Sequence, residues 1–252
     1  MPPYSICVGA DISARCEEDV MGCIAVITAR GGSKRIKGKN IRDFCGKPII
    51  CYSISAALES GLFDEVMVST DSKEIADIAE SSGAKVPFMR SEATSGDHAT
   101  TADVLKEVLV SYEAQGMHFS ELCCLYPTAP FVTAKKLRAA HDLLVSSDAD
   151  GVMPVVRFSF PPQRANVIRD GKLVYQYPEF RTARSQDLEP VYHDCGQFYF
   201  YKVKGTEFNV ETYAPLIVPE TEVQDIDNED DWVIAEMKYR SMLGAAYGTE
   251  KK

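Results

Sequence analysis

Cys23-Ile-Ala-Val-Ile-Thr-Ala29, followed without a break by Arg30-Gly-Gly-Ser-Lys-Arg-Ile-Lys-Gly-Lys-Asn-Ile-Arg42, decides the fold. The first seven residues carry no charge, and their length and flanking glycines suit a strand buried on both faces. The thirteen that follow hold six basic residues and no acidic one, in a chain whose net charge is -10. Glycines let backbone N–H groups approach an anion, and lysine and arginine neutralise it. In an open α/β sheet, ligands bind beyond the carboxyl ends of the strands, where this loop falls. A triphosphate is the natural occupant.

Outward from that loop, apolar runs alternate with amphipathic segments. Lys47-Pro48 is expected to open a helix carrying Ile50, Ile54, Ala57 and Leu58 on one face, ended by Gly61. Residues 65–69 read as a strand, and Asp71 as the cap of a helix with Ile75, Ile78 and Ala79 that closes at Gly83. A short strand at 85–89, a helix over 101–115, a strand at 122–126, a helix over 133–146 and a strand at 151–156 follow. This alternation predicts a mostly parallel sheet covered by helices. The rhythm breaks over 158–193, which reads as an insert with a hairpin around Asp170-Gly171. The core resumes at 196–203 and 215–218, and a last helix is expected over 229–243. The domain is thus placed at 21–244, with a disordered extension at 1–20 and a tail at 245–252.

The chain has 252 residues, 45% of them hydrophobic, enough for one large domain. Its acidity argues against general nucleic-acid binding. No apolar run is long enough to span a membrane, and residues 1–20 lack a signal-peptide pattern. The eight cysteines show no C-x-x-C spacing. They read as free thiols of a reducing cytoplasm.

Competing phosphate motifs fit poorly. Gly32 and Gly38 are one residue too far apart for a Walker A loop, Asn40 follows Lys39 where Ser or Thr is required, and no G-x-G-x-x-G is present. A second segment, Arg90-Ser-Glu-Ala-Thr-Ser-Gly-Asp-His-Ala99-Thr100-Thr101-Ala-Asp103, leads into a helix with Thr100 or Thr101 as its cap. Near the end, Asp225-Ile-Asp227-Asn-Glu-Asp-Asp231-Trp232 puts two carboxylates on one side of an extended segment. Such a pair repels unless a cation sits between them, and Mg²⁺ takes one or two carboxylates plus phosphate oxygens. Asn228, Glu229, Asp230 and Asp231 read mainly as helix capping and dipole compensation. An EF-hand is disfavoured because Asp230 stands where glycine is needed.

The stretch from Ile24 to Asn40 resembles the nucleotide-binding signature of the acylneuraminate cytidylyltransferases. That resemblance implies a Rossmann-like nucleotide-diphospho-sugar transferase fold, with an inserted dimerisation and sugar-binding subdomain. It implies that Arg30, Ser33 and Lys39 hold the phosphates of CTP, helped by Gly31, Gly32 and Lys34, while Asn40 meets the nucleoside. Arg90, Ala99 and Thr101 match the positions that read cytosine, with Ser91 where the family usually has proline. Asp225 and Asp227 match its Mg²⁺ ligands. Related ketodeoxyoctonate enzymes usually have proline in place of Asn40.

The sugar side resembles the pseudaminic acid branch. Tyr126 in Leu-Tyr-Pro-Thr-Ala-Pro replaces a glutamine common in sialic acid synthetases. Phe-Pro-Pro-Gln163-Arg164 and Arg184-Ser-Gln-Asp-Leu-Glu-Pro-Val-Tyr-His193-Asp-Cys-Gly-Gln197 also look like that branch. These residues offer Arg for a sugar carboxylate and Gln, Tyr and His for hydroxyl and acetamido groups. His193 is equally a candidate structural hydrogen-bonder, and Phe198 a core residue. The resemblance implies CMP transfer from CTP to a nine-carbon sugar acid, with pyrophosphate released, in a cytoplasmic homodimer whose insert crosses to the partner's site. N-acetylneuraminic, legionaminic and ketodeoxyoctonic acids, or a catalytically inactive nucleotide-binding protein, are the alternatives.

Overall fold

The computed structural model describes residues 20–249, so the expected extension at 1–20 lies, apart from Val20, outside the described residues. In chain order the elements are β1 (Val20–Thr28), β2 (Asp43–Phe44), β3 (Lys47–Pro48), α1 (Ile50–Ser60), β4 (Glu65–Ser69), α2 (Lys73–Ser81), α3 (Glu92–Ser95), α4 (Thr101–Glu113) and β5 (His118–Leu125). Then come α5 (Ala134–Ser146), β6 (Gly151–Arg157), β7 (Asn166–Arg169), β8 (Lys172–Tyr175), β9 (Tyr192–Asp194), β10 (Phe198–Lys202), β11 (Tyr213–Ile217) and α6 (Glu229–Thr249).

The main sheet has the order β11-β6-β10-β5-β1-β4, with β9 also paired to β6. β1 runs parallel to both β4 and β5, and β11 is parallel to β6. β10 is antiparallel to its two neighbours. The mostly parallel sheet flanked by helices is therefore as expected. Its central strand explains the layers. Along β1, Cys23, Ala25 and Ile27 face a core built with Ile50 and Ile54 of α1, Ile75 of α2 and Leu137 of α5. The alternate residues Ile24 and Val26 face Leu105, Val108, Leu109 and Tyr112 of α4. Period-two alternation in a wholly apolar strand thus buries both faces.

A third cluster sits beyond the strand ends. Ile36, Phe44, Tyr52, Phe131, Ile226 and Trp232 are buried together. Phe44 meets Trp232 edge-on at 5.6 Å and Tyr239 at 5.5 Å, a favourable aromatic geometry. The basic loop and the start of α6 are joined through this cluster.

Local departures from expectation have local causes. Lys47-Pro48 pairs with Asp43-Phe44 as a small hairpin instead of opening α1. The turn uses Cys45 and Gly46, both at positive φ. Asp71 does not cap α2; Ser72 does, accepting from the Ile75 amide. Residues 85–89 make one bridge, Met67 to Lys85, and no strand. Pro87 lacks the N–H a ladder needs. Helix α6 runs past Leu243 and Gly244 to Thr249, since an interior glycine weakens a helix by only about 1 kcal/mol. The expected tail therefore starts as helix, and residues 250–252 lie outside the described residues. The hairpin around Asp170-Gly171 forms as β7 and β8. The six described cysteines are unpaired and five are buried. Burial pushes the Cys124 thiol up to about 12, as suits inert packing groups. Among the described residues no helix is long and apolar enough to cross a membrane.

Candidate active site

β1 ends at Thr28, and the basic loop turns away over the carboxyl edge of the sheet. Gly38 adopts the left-handed conformation (φ 64°) and starts a short 3₁₀ turn over Lys39–Ile41. A side chain on Gly31 would lie 3.0 Å from Cβ of Ser72. The Gly31 amide donates to Asp71 at 2.7 Å, so that amide, expected to face phosphate, is held by a carboxylate. Buried Asn40 donates to the Arg30 carbonyl at 2.9 Å and fastens the two ends of the loop.

Two adjoining cavities open here. One of about 400 Å³ is lined by Arg30, Ser33, Lys34, Lys39, Asn40 and Tyr126 among others. The other, about 210 Å³, is lined by Arg30, Arg90, Asp97, Ala99 and Thr101 among others. Thr28 and Arg30 belong to both. The two sequence segments singled out for the nucleotide therefore meet at one cleft. Arg90 is buried and donates from Nη2 to the Ser69 carbonyl at 2.6 Å and from Nε to Ser69 Oγ at 3.0 Å. Burial lowers its pKa, opposed by Asp71 and Glu107. Thr100 caps α4 in a capping box with Asp103. That leaves the Thr101 side chain on the cavity wall.

The paired aspartates lie beside the same loop. Lys39 Nζ donates to the Ile226 carbonyl at 2.6 Å and lies 4.0 Å from Asp227. Arg35, missed by sequence reasoning, pairs with Asp227 at 2.7 Å. Arg42 binds Glu229 at 2.7 Å and covers the Trp232 ring. Burial lowers the Lys39 pKa, against the pull of Asp227 and Asp225. Burial, and then the Asp227 charge, raise that of Asp225. Two crowded carboxylates of this kind, one disfavoured as an anion, suit a divalent cation whose remaining ligands are phosphate oxygens. Among the described residues no group of three or more His, Cys, Asp or Glu side chains is placed to hold a metal. Residues 225–227 are irregular coil rather than a strand end. Asn228 and Asp231 cap α6 reciprocally: Asn228 Oδ1 accepts from the Asp231 amide, and the Asp231 carboxylate accepts from the Asp227 and Asn228 amides.

The sugar candidates divide. Tyr126 stands in the cleft, its hydroxyl 3.5 Å from Thr101 Oγ1 and its ring edge-on to Tyr199 at 5.7 Å. Tyr199 in turn donates to Asp194 at 2.5 Å. Gln197 is buried, donates to the Glu222 carbonyl at 2.8 Å, and has an unpaired side-chain oxygen. The rest stay in the insert. Gln163 bonds the Glu189 carbonyl, Arg164 bonds Ser185, and Arg184 bonds Asp187. His193 bonds the neighbouring Asp194 carbonyl, with its ring 4.6 Å from Phe158. None of these four lines either of the two cavities.

Sequence comparison gives a match to the family described as Cytidylyltransferase over residues 24–214. The pseudaminic acid cytidylyltransferase of Campylobacter jejuni is 38% identical, with 86% of this chain and 96% of that protein aligned. The CMP-N,N'-diacetyllegionaminic acid synthase of Legionella pneumophila is 36% identical, over 86% and 95% of the two chains. Among solved structures, a CMP:2-keto-3-deoxy-manno-octonic acid synthetase complexed with CTP superposes at a TM-score of 0.59 with 19% identity, covering 87% of this chain and 99% of that one. At that identity the likeness concerns the fold.

Proposed function

Because the chain belongs to the cytidylyltransferase family, we propose that it transfers CMP from CTP to the anomeric hydroxyl of a nine-carbon sugar acid, most specifically pseudaminic acid. The observation that carries this reading is the basic loop over the carboxyl edge of β1, which lines one cavity with Lys39 and Tyr126 and shares Arg30 with a second. In this reading the base enters the smaller cavity beside Arg90, Ala99 and Thr101. Arg30, Ser33, Lys34 and Lys39 hold the triphosphate in the larger one. The hydroxyl oxygen attacks the α-phosphorus, the bond to the β-phosphate breaks, pyrophosphate leaves, and the hydroxyl proton passes to solvent water. Cations around the leaving phosphates stabilise the charge that develops there.

Asp225 and Asp227 are the residues that would hold Mg²⁺, and the raised pKa of Asp225 supports this. When bound, the ion would supply positive charge to the phosphate oxygens. The chain's own part is to keep both carboxylates next to Lys39, through the Ile226 carbonyl and the aromatic cluster.

The insert supports a homodimeric reading. Phe160, Ile168 and Leu173 are 88%, 76% and 71% exposed, an apolar surface that suits burial against a second copy. Arg164, Arg184 and His193, which line neither cavity of their own chain, would then serve the partner's site. A cytoplasmic setting agrees with the unpaired thiols.

The test is product formation with CTP and Mg²⁺, offering pseudaminic, N-acetylneuraminic and ketodeoxyoctonic acids side by side. CMP-pseudaminic acid alone is the expected product. A product with another acid would keep the reaction and replace the branch. No product from folded protein that binds CTP would favour a nucleotide-binding role. Legionaminic acid belongs in the same panel, given the 36% identical synthase.

A further inference from the structure

The two cations at the mouth of the nucleotide cleft already have an anionic partner. Arg30 Nη1 donates to Asp97 Oδ1 at 3.0 Å, and Lys34 Nζ bonds the other oxygen of the same carboxylate. Those two bonds pull the Asp97 pKa down. Asp97 sits in the short segment between α3 and α4, so its carboxylate reaches across from the opposite wall. Arg30 and Thr28 are shared by the two cavities. The Arg30–Asp97 pair therefore marks the boundary that a nucleotide spanning both must cross.

We propose that Asp97 is an internal competitor for the triphosphate: it holds Arg30 and Lys34 in the empty site and yields them when the nucleotide binds. This rests on the nucleotide reading of the cleft. The physical argument is one of matched strengths. The side chains of Arg30, Lys34 and Asp97 are 39%, 74% and 49% exposed, and solvent-screened pairs of this kind are weak. A triphosphate brings several charges and multiple acceptor oxygens to the same two cations, and charge-assisted bonds to phosphate are stronger. It displaces one carboxylate readily. Pyrophosphate, once cut from the nucleotide, has lost the base contacts at Arg90 and Thr101, and Asp97 then competes with it more effectively. Asp97 thereby weakens ground-state binding of every phosphate ligand and favours release of the leaving group.

The experiment is calorimetric titration of wild type, Asp97→Asn and Asp97→Glu with CTP, CMP and inorganic pyrophosphate, without metal and at fixed ionic strength. The expected result for Asp97→Asn is tighter binding of CTP and pyrophosphate, on the order of ten-fold from two exposed pairs. CMP, whose single phosphate engages fewer of these cations, should gain less. Asp97→Glu, which keeps the charge, should return towards wild type. Equal or weaker binding of CTP and pyrophosphate by Asp97→Asn, with wild type still binding CTP, would overturn the role of Asp97 alone. Failure of wild type to bind CTP would overturn the nucleotide site and this proposal with it.

Discussion

The basic loop and the insert are both polar, both lie outside the main sheet except where β9 joins its edge, and differ in what holds them. Residues 30–42 are tied down from three sides: Asn40 closes the loop on Arg30, Ile36 and Phe44 enter a buried aromatic cluster, and Lys39, Arg35 and Arg42 reach the Asp225–Trp232 segment. The insert at 158–193 meets the main sheet through β9, is otherwise held largely by bonds within itself such as Gln163 to Glu189 and Arg184 to Asp187, and leaves Phe160, Ile168 and Leu173 in solvent. The proposed phosphate site falls on the anchored region, as a site that must fix its ligand's geometry requires. The proposed dimer surface falls on the second, with its exposed apolar side chains.

This contrast can be broken, beginning with the largest effect. Trp232→Ala removes a ring that packs on Phe44 and lies under Arg42. Large-to-small replacement of such a group costs about 3–5 kcal/mol, to be read from the denaturant midpoint. A loss well under 1 kcal/mol would mean that the loop is not anchored through this cluster. Next, Asp227→Ala should lower turnover about 100- to 1000-fold, the scale of removing one group that stabilises transition-state charge. Circular dichroism should stay unchanged, and intact turnover would remove Asp227 from the metal assignment.

On the insert side the effects are smaller and of another kind. Ile168→Asp with Leu173→Asp should leave the fold intact, since both side chains are exposed, and shift light scattering from dimer to monomer. A dimer that persists would move the interface elsewhere. The smallest effect belongs to Asp225→Asn. Burial and Asp227 disfavour the charged Asp225 in the folded protein, and a raised acid pKa means that this carboxylate costs stability once it ionises as pH rises. Removing the charge should therefore stabilise the metal-free protein at neutral pH by less than about 1 kcal/mol, discounted for partial exposure. A lower melting temperature would contradict that sign.

The same contrast explains what the sequence made legible. The apolar run at 23–29, the helical faces at 101–115 and 133–146, and the Asp170-Gly171 turn are local patterns, and each appears within a few residues of its expected place. The basic loop was legible because six cations in thirteen residues of an acidic chain have few other uses. Asp71 and Ser72 were confused because either side chain can cap a helix; what separates them is the Gly31 amide forty positions away. Strand β9 gave no signal because it has three exposed residues and exists only through pairing with β6. Arg35 and Asp97 passed unnoticed for the same reason, since their partners Asp227, Arg30 and Lys34 are distant in sequence. The sugar candidates were chosen by resemblance. Only Tyr126 lies on a cleft wall, because strand β5 ends immediately before it.

The most direct test of the central claim follows the three phosphorus atoms of CTP by ³¹P NMR in the presence of Mg²⁺, pseudaminic acid and the protein. The account predicts that the α-phosphorus becomes a phosphodiester while the β- and γ-phosphorus atoms appear together as one equivalent of pyrophosphate. Release of single phosphate, or an unchanged CTP spectrum from folded protein, would contradict it.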